Sequence, residues 1–168
     1  YVKIMLVFPN SKINLGLNIT QKRADGFHDI ETVFYPVAWH DALEVIEVQD
    51  SNELFTFSQS GILIEGKKED NLIYKAWQLL KEIKPIPAIK VHLHKNIPMG
   101  AGLGGGSADA AFFIELVAKM FDFKLSYEQK SSLAAKLGSD CSFFIKNSPV
   151  LAKGRGDVFS ETKVDLSQ

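Results

Sequence analysis

The sequence has little of what marks secreted, membrane-spanning or nucleic-acid-binding proteins. Its one cysteine, Cys141, excludes an internal disulfide framework and is typical of a reducing compartment, so we expect a cytoplasmic protein. No apolar run approaches the roughly 20 residues that cross a bilayer, so no membrane partner is expected. Lys and Arg number 19 against 20 Asp and Glu, and this net charge of −1 argues against a nucleic-acid partner.

The rest of the composition is that of one globular domain. The chain has 168 residues, of which 46% are hydrophobic, and this suffices for the core of a domain of roughly 100–200 residues. No segment rich in Pro, Gly and Ser divides it, so we interpret residues 1–168 as a single domain. The chain does not begin with Met and its last residues resemble the start of a linker, so we expect a fragment of a longer protein.

Hydrophobic patterns predict strands in the first part of the chain and mainly helices after it. The predicted strands are residues 2–8, 11–19, 30–37, 42–48, 53–57, 62–65 and 88–95. The predicted helices are residues 72–83, capped by Asp70 or Asn71, then 107–121, and a third from a capping box at Ser126 to near Gly138. Residues 154–157 predict a turn between strands. Strands followed by helices without strict alternation indicate an α+β fold.

A glycine-rich loop between a predicted strand and a predicted helix is the most informative segment. Residues 100–106 contain five glycines, and backbone N–H groups at a helix N-terminus form an anion site, so the loop predicts phosphate binding. It is not a Walker A loop, because Gly106 leads directly to Ser107 without a lysine. Residues 100–105 match the dinucleotide fingerprint G-x-G-x-x-G, but Pro98 and the absence of a following parallel strand argue against it.

Three segments, in the same order and spacing, resemble the GHMP small-molecule kinases. They are residues 98–111, residues 9–17 with 23–28, and residues 138–144. The resemblance implies an N-terminal domain like the second domain of ribosomal protein S5, with a sheet backed by helices. It also implies that a ferredoxin-like C-terminal domain follows Gln168 and is missing here.

The resemblance further implies an activity. The family members that share Asp25–His28 transfer the γ-phosphoryl group of ATP, with Mg²⁺, to a hydroxyl of a cytidyl-linked methylerythritol, a precursor of isoprenoids. ATP and this small molecule are the expected partners, and the oligomeric state is left open. The alternatives are a GHMP kinase of the homoserine or mevalonate type, a nucleotide-binding fragment without catalysis, and an RNA-binding module of the same fold, which the net charge disfavours.

Two residues are candidates for catalysis. Asp140 follows Gly138, where a helix is expected to stop, so its carboxylate can project from a turn as a general base. Lys12 matches a family motif and can pair with Asp140 and the attacking hydroxyl. Asn14 lies on the same strand face as Lys12 and can bond the substrate hydroxyl. Without the resemblance, Lys12 and Asn14 would be polar-face strand residues and Asp140 a turn residue.

The remaining candidates bind the two ligands by resemblance. Phe27 stacks on the cytosine ring and His28 reads its edge, while Asn71 and Lys95 contact the adenine end of ATP. The residues assigned to the phosphates are Pro98, Met99, Gly100, Ala101, Gly102, Leu103, Gly104, Gly105, Gly106 and Ser107. Ser107 can bind a phosphate oxygen or Mg²⁺, or it is a plain helix cap. No protein metal site is expected, because His92 and His94 lack a third ligand in the sequence.

Overall fold

A computed structural model describes residues 2–164 and 166, and the predicted α+β class is confirmed. The strands are β1 (Ile4–Val7), β2 (Asn10–Lys22), β3 (His28–His40), β4 (Ala42–Glu47), β5 (Phe55–Gly61), β6 (Ile89–Lys95), β7 (Val150–Gly154) and β8 (Val158–Glu161). The helices are α1 (Leu72–Ile83), α2 (Gly105–Met120), α3 (Tyr127–Leu137) and α4 (Phe143–Lys146), with a 3₁₀ turn at Lys68–Asp70. Of the expected linker, Asp165, Ser167 and Gln168 lie outside the described residues.

The described strands form two four-stranded sheets. The first has the order β1-β4-β6-β5, and the second has the order β2-β3-β7-β8. All pairings are antiparallel except β5 with β6, which are parallel and joined through α1. In the second sheet β3 lies between β2 and β7, and within the described residues neither β2 nor β3 pairs with β1 or β4.

One predicted strand, residues 62–65, is absent. Strand β5 continues to Gly61, where a Cβ atom would overlap the Lys95 carbonyl oxygen. Only glycine permits this approach. The next residue, Ile62, donates its N–H to the same oxygen over 2.8 Å, and this is the last bond between the two strands. The chain leaves the sheet there, which frees the following residues to line a cavity described below.

Side-chain caps fix the N-terminal ends of two helices, as predicted. The Asn71 side chain accepts a hydrogen bond from Ile73 N and caps α1, which settles the choice between Asp70 and Asn71. At the start of α3, Ser126 and Gln129 form both bonds of a capping box. No helix within the described residues is long and apolar enough to cross a membrane.

Helix α2 is the central element because it contributes to both hydrophobic clusters. Its later turns, including Phe113 and Val117, pack with α1, α3 and the first sheet. Its first turns, through Ala108 and Ala111, pack with Phe34 of the second sheet and with α4. Because α2 packs against both sheets, close packing on both sides sets the position of its N-terminus.

A buried ion cluster fixes the N-terminal end of α2. The Lys95 ammonium, fully buried at the end of β6, donates to Asp41 Oδ2 and, over 2.9 Å, to Asp109 Oδ2 in α2. Asp41 Oδ1 also accepts from the backbone N–H groups of Asn96 and Ile97 at 2.6 and 2.8 Å. The cluster thereby joins the β3–β4 connection, the end of β6 and the first turns of α2.

Removing the cation of this cluster should be costly. We expect Lys95→Met to lower the free energy of unfolding by about 3–5 kcal/mol, because the buried Asp41 loses its counter-ion and Asp109 loses a hydrogen-bond donor. Urea unfolding of the purified protein measures the change. Lys68→Met is the matched control, because Lys68 pairs with Glu53 at the surface, and it should cost about 0–1 kcal/mol. Equal losses in the two variants would contradict a structural role for the buried cluster.

Candidate active site

The structure brings Lys12, Asn14 and Asp140 together beside the second hydrophobic cluster. The Lys12 ammonium lies 3.4 Å from Asp140 Oδ2 and donates to Asn14 Oδ1 over 2.7 Å. It also lies 4.3 Å from the centroid of the Phe34 ring. The Lys12 side chain is only 5% exposed, whereas that of Asp140 is 31% exposed. A buried cation therefore orients a carboxylate that remains accessible to a ligand.

The glycine loop docks directly onto the strand that carries Lys12. The Lys12 backbone N–H donates to the Leu103 carbonyl oxygen over 2.9 Å. Gly104, with φ +70°, approaches so closely that a Cβ atom would lie 2.9 Å from the Phe144 ring and 3.2 Å from Lys12 Cγ. The glycine at position 104 is thus required by its backbone conformation and by this contact, which places the loop next to Lys12.

Ser107 connects the start of α2 to the turn that carries Asp140. Its hydroxyl lies near the buried Cys141 thiol and favours the thiolate form of that group. Burial raises the pKa of Cys141 to about 11, although the Ser107 hydroxyl opposes the shift. A buried thiol with such a pKa is protonated at neutral pH, so Cys141 is a packing residue here and not a nucleophile.

Two adjoining cavities lie along the loop. The larger, of about 380 Å³, lies between β5, the segment after it, the start of α1 and the start of α2. The smaller, of about 240 Å³, follows the loop itself and is lined by Leu72 and by residues 98–107. Leu72, Met99 and Gly106 border both cavities, so one extended ligand can occupy them together.

Two residues that line the larger cavity carry buried acceptors without a partner. Gln59 Oε1 and Asp109 Oδ1 receive no hydrogen bond from the part of the chain that the structure describes. An unsatisfied buried acceptor costs about 1–3 kcal/mol.

The two residues expected at the adenine end have different surroundings. Asn71 borders the larger cavity while its side chain also caps α1. The Lys95 ammonium is enclosed by Asp41 and Asp109, and the Lys95 carbonyl accepts the N–H of Ile62. Because both polar ends of Lys95 are engaged inside the protein, the structure indicates that Lys95 positions the loop and does not touch the nucleotide through its ammonium.

Burial governs the protonation of Asp109. The pKa of this carboxyl is raised from its ordinary 3.8 to about 7, first by burial and further by the neighbouring Asp41, with Lys95 opposing. The folded protein therefore holds this proton more tightly than the unfolded chain does. The resulting stabilisation is complete below pH 3.8 and is lost as the pH rises through about 7.

We expect Asp109→Asn to remove this pH dependence. The stability of the native protein should fall relative to that of the variant as the pH rises from about 4 to about 7, and the difference should then stay constant. Urea unfolding at several pH values measures it. Asp122→Asn is the control. Lys124 lowers the pKa of that exposed carboxylate, so its contribution to stability should not change between about pH 4 and about pH 7. A stability difference between the native protein and Asp109→Asn that does not vary with pH would refute the assignment.

Phe27 and His28 lie at the far end of the β2–β3 hairpin. Phe27 is 55% exposed, and the guanidinium carbon of Arg155, in the turn after β7, lies 4.4 Å from the centroid of its ring. His28 is exposed and begins β3 opposite Lys22. One face of the Phe27 ring is thus covered by Arg155, and the ring is accessible to a stacking partner.

Sequence reasoning missed three residues of this region. Nothing in the sequence identified Asp41 as a partner of Lys95, because the two are far apart in the chain and meet only through β4–β6 pairing. Asp109 follows the glycine loop closely, but no sequence pattern gives it a role. Residues 154–157 form the predicted turn, but the lone Arg155 between two glycines, which is the signal that was available, was given no role.

The oxygen-bearing side chains of the site decide how a Mg²⁺ ion could be held. The described residues contain no group of three His, Cys, Asp or Glu side chains that could hold a metal ion. Mg²⁺ commonly binds through substrate phosphates, waters and one or two protein oxygens. The Ser107 hydroxyl, which lines the loop cavity at the start of α2, fits an ion that enters with the phosphates of a nucleotide.

The family follows from a comparison with known domains. Residues 71–148 match the family model described as GHMP kinases N terminal domain. This stretch contains α1, β6, the glycine loop, α2, α3 and the turn with Asp140. Over nearly its whole length the chain is similar to members of the GHMP kinases, and the predicted resemblance is confirmed.

Within that class, the relatives point to one kind of enzyme. The chain is 53% identical over 163 residues to the 4-diphosphocytidyl-2-C-methyl-D-erythritol kinase of Bacteroides fragilis, covering 97% of this chain and 59% of the relative. A crystal structure of 4-(cytidine 5′-diphospho)-2C-methyl-D-erythritol kinase matches with a TM-score of 0.81 at 30% identity, over 96% of this chain and 56% of that one. The chain thus spans less than two thirds of the length of these relatives.

A more distant structure shows how widely the fold is shared. The mevalonate kinase of Methanococcus jannaschii matches with a TM-score of 0.67 at 16% identity, over 96% of this chain and 56% of that one. At this identity the likeness concerns the fold alone. The choice of substrate must therefore be argued from the residues of the site.

Proposed function

We propose that this domain binds ATP and the cytidyl-linked methylerythritol named in its relatives, and transfers the γ-phosphoryl group to a hydroxyl of the latter. The observation that carries the proposal is the contact between the glycine loop and the Lys12–Asp140 pair. This contact puts an anion site, a cation and an accessible carboxylate within one small region. The identity of 53% with a kinase of that name supports the choice of substrate.

The nucleotide would occupy the two adjoining cavities. Its phosphates would lie against the backbone N–H groups of residues 100–107, where the dipole of α2 adds to the attraction. Its base would enter the larger cavity beside Asn71, near the unpaired acceptors of Gln59 and Asp109. Mg²⁺, when bound with the phosphates, neutralises charge that develops during transfer.

The acceptor hydroxyl would meet the Lys12–Asp140 pair. Asp140 is the group placed to accept its proton, since its carboxylate is open to solvent and held by Lys12 at 3.4 Å. Asn14, bound to Lys12 at 2.7 Å, would orient the same hydroxyl. Phe27 would stack on the cytosine ring at the other end of the substrate, with His28 beside its edge.

Removing the proposed base should affect the chemical step. We expect Asp140→Asn to lower kcat by about 100-fold or more, the range for a positioned general base, while ATP binding stays close to normal. Steady-state kinetics and a nucleotide-binding titration measure the two quantities. Asp122→Asn, which changes an exposed carboxylate away from the site, should leave both unchanged.

The pair should also act as a unit. Lys12→Ala should reduce kcat by a similar factor, and the double variant should be little worse than either single one, because each residue needs the other. Additive losses would mean that Lys12 and Asp140 act independently. Near-normal turnover of Asp140→Asn would leave positioning of the phosphates and the hydroxyl as the whole catalytic contribution.

The substrate assignment is tested by phosphoryl transfer from Mg-ATP to the cytidyl-linked methylerythritol, to homoserine and to mevalonate. The protein from the full reading frame is assayed beside the 168-residue chain, so that any need for further sequence is measured. Turnover of the cytidyl compound alone is the expected result. Turnover of homoserine or mevalonate would overturn the substrate, and ATP binding without turnover would indicate a nucleotide-binding module.

A further inference from the structure

The turn between β7 and β8 contacts both ends of the proposed acceptor site. On one side, the guanidinium of Arg155 covers the Phe27 ring, with its carbon 4.4 Å from the ring centroid. On the other side, Gly156 is buried so close to Asp140 that a Cβ atom would lie 3.6 Å from Asp140 Oδ1. Two adjacent residues of one turn therefore connect the expected base-binding end with the expected reacting end.

The backbone of this turn is held in place. Asp157 Oδ1 accepts the N–H of Arg155 over 3.0 Å, and Gly156 N donates to the Lys153 carbonyl over 3.1 Å. Strands β7 and β8 pair on either side of it. The starting point and direction of the Arg155 side chain are therefore fixed by the fold, although the side chain itself is exposed.

The guanidinium of Arg155 has unused binding capacity. It makes no ion pair and no side-chain hydrogen bond with any residue between 2 and 164. It contributes to the lowered pKa of Asp25, but that carboxylate is paired with Arg23. A guanidinium presents five N–H donors in a planar fork that matches phosphate oxygens, and stacking on an aromatic ring leaves the edge of the fork free.

We propose that Arg155 binds the diphosphate of the acceptor substrate and thereby selects cytidyl diphosphate compounds over neutral nucleosides. The proposal rests on the proposed function. In a 4-diphosphocytidyl-methylerythritol, the diphosphate joins the cytidine to the methylerythritol. With the cytosine on Phe27 and the hydroxyl at Asp140, the diphosphate would span from one to the other, alongside the turn whose Arg155 contacts Phe27 and whose Gly156 adjoins Asp140.

The test compares two probes that share the base and differ in the phosphates. Cytidine and cytidine 5′-diphosphate are titrated against the protein from the full reading frame and against Arg155→Gln. The variant should lose about tenfold or more in affinity for the diphosphate, the effect of one charge-assisted hydrogen bond, and little for cytidine. The KM for the cytidyl-linked methylerythritol should rise by a similar factor while kcat stays near the native value.

Matched variants separate recognition from a structural role. Lys153→Gln removes an equal charge from the same hairpin, where Lys153 pairs with Glu31, and should leave the preference for the diphosphate intact. Arg155→Lys keeps the charge without the fork and should recover part of the affinity. An equal loss of cytidine and cytidine 5′-diphosphate binding in Arg155→Gln would show that Arg155 only supports Phe27, and would overturn the proposal.

The failure of this inference is distinguishable from the failure of the proposed function. Absence of any phosphorylation of the cytidyl substrate by the native protein would overturn the proposed function. Normal turnover, together with an unchanged ratio of the two probe affinities in Arg155→Gln, would leave that function standing and refute the role of Arg155.

Discussion

The buried contact of Lys95 with Asp41 and Asp109 determines where the glycine loop lies. The loop has few side chains with which to anchor itself, so its position depends on the elements at its two ends. Lys95 ends the strand before the loop, and Asp109 lies in the first turns of the helix after it. Gly105 also packs against this contact, because a Cβ atom at that position would lie only 2.8 Å from the Lys95 ammonium. A flexible sequence is thus held at a defined site by a rigid ionic contact beneath it.

From this anchored loop the arrangement extends to the second sheet. The loop reaches β2 through the Lys12–Leu103 backbone bond, and α2 reaches the Asp140 turn through Ser107 and Cys141. Lys12 is buried against Phe34 while it holds Asp140. Keeping an ammonium in such surroundings is costly unless it is paired, which gives the Lys12–Asp140 contact a structural reason as well as its proposed chemical one.

Short-range sequence patterns predicted the helix caps and the loop–helix junction. They did not predict features that depend on contacts between distant parts of the chain. The Asn71 cap, the Ser126 box and the loop–helix junction at residues 104–107 are short-range patterns, and the structure has all three. The end of β5 at Gly61 depends on the Lys95 carbonyl, which no local pattern contains. The burial of the Lys95 ammonium was not predictable either, because Asp41 and Asp109, which enclose it, lie 54 and 14 residues away.

The division into two sheets has a chemical consequence for a two-substrate reaction. The larger cavity is walled by β5 of the first sheet, whereas Lys12, Asn14 and Phe27 belong to the hairpin of the second. Helix α2 packs into both cores, and its N-terminus lies where the two regions meet. A phosphate donor bound on one side and a hydroxyl bound on the other would then approach each other across the same loop. Phosphoryl transfer gains most from positioning, so the packing of α2 is itself part of the proposed catalytic arrangement.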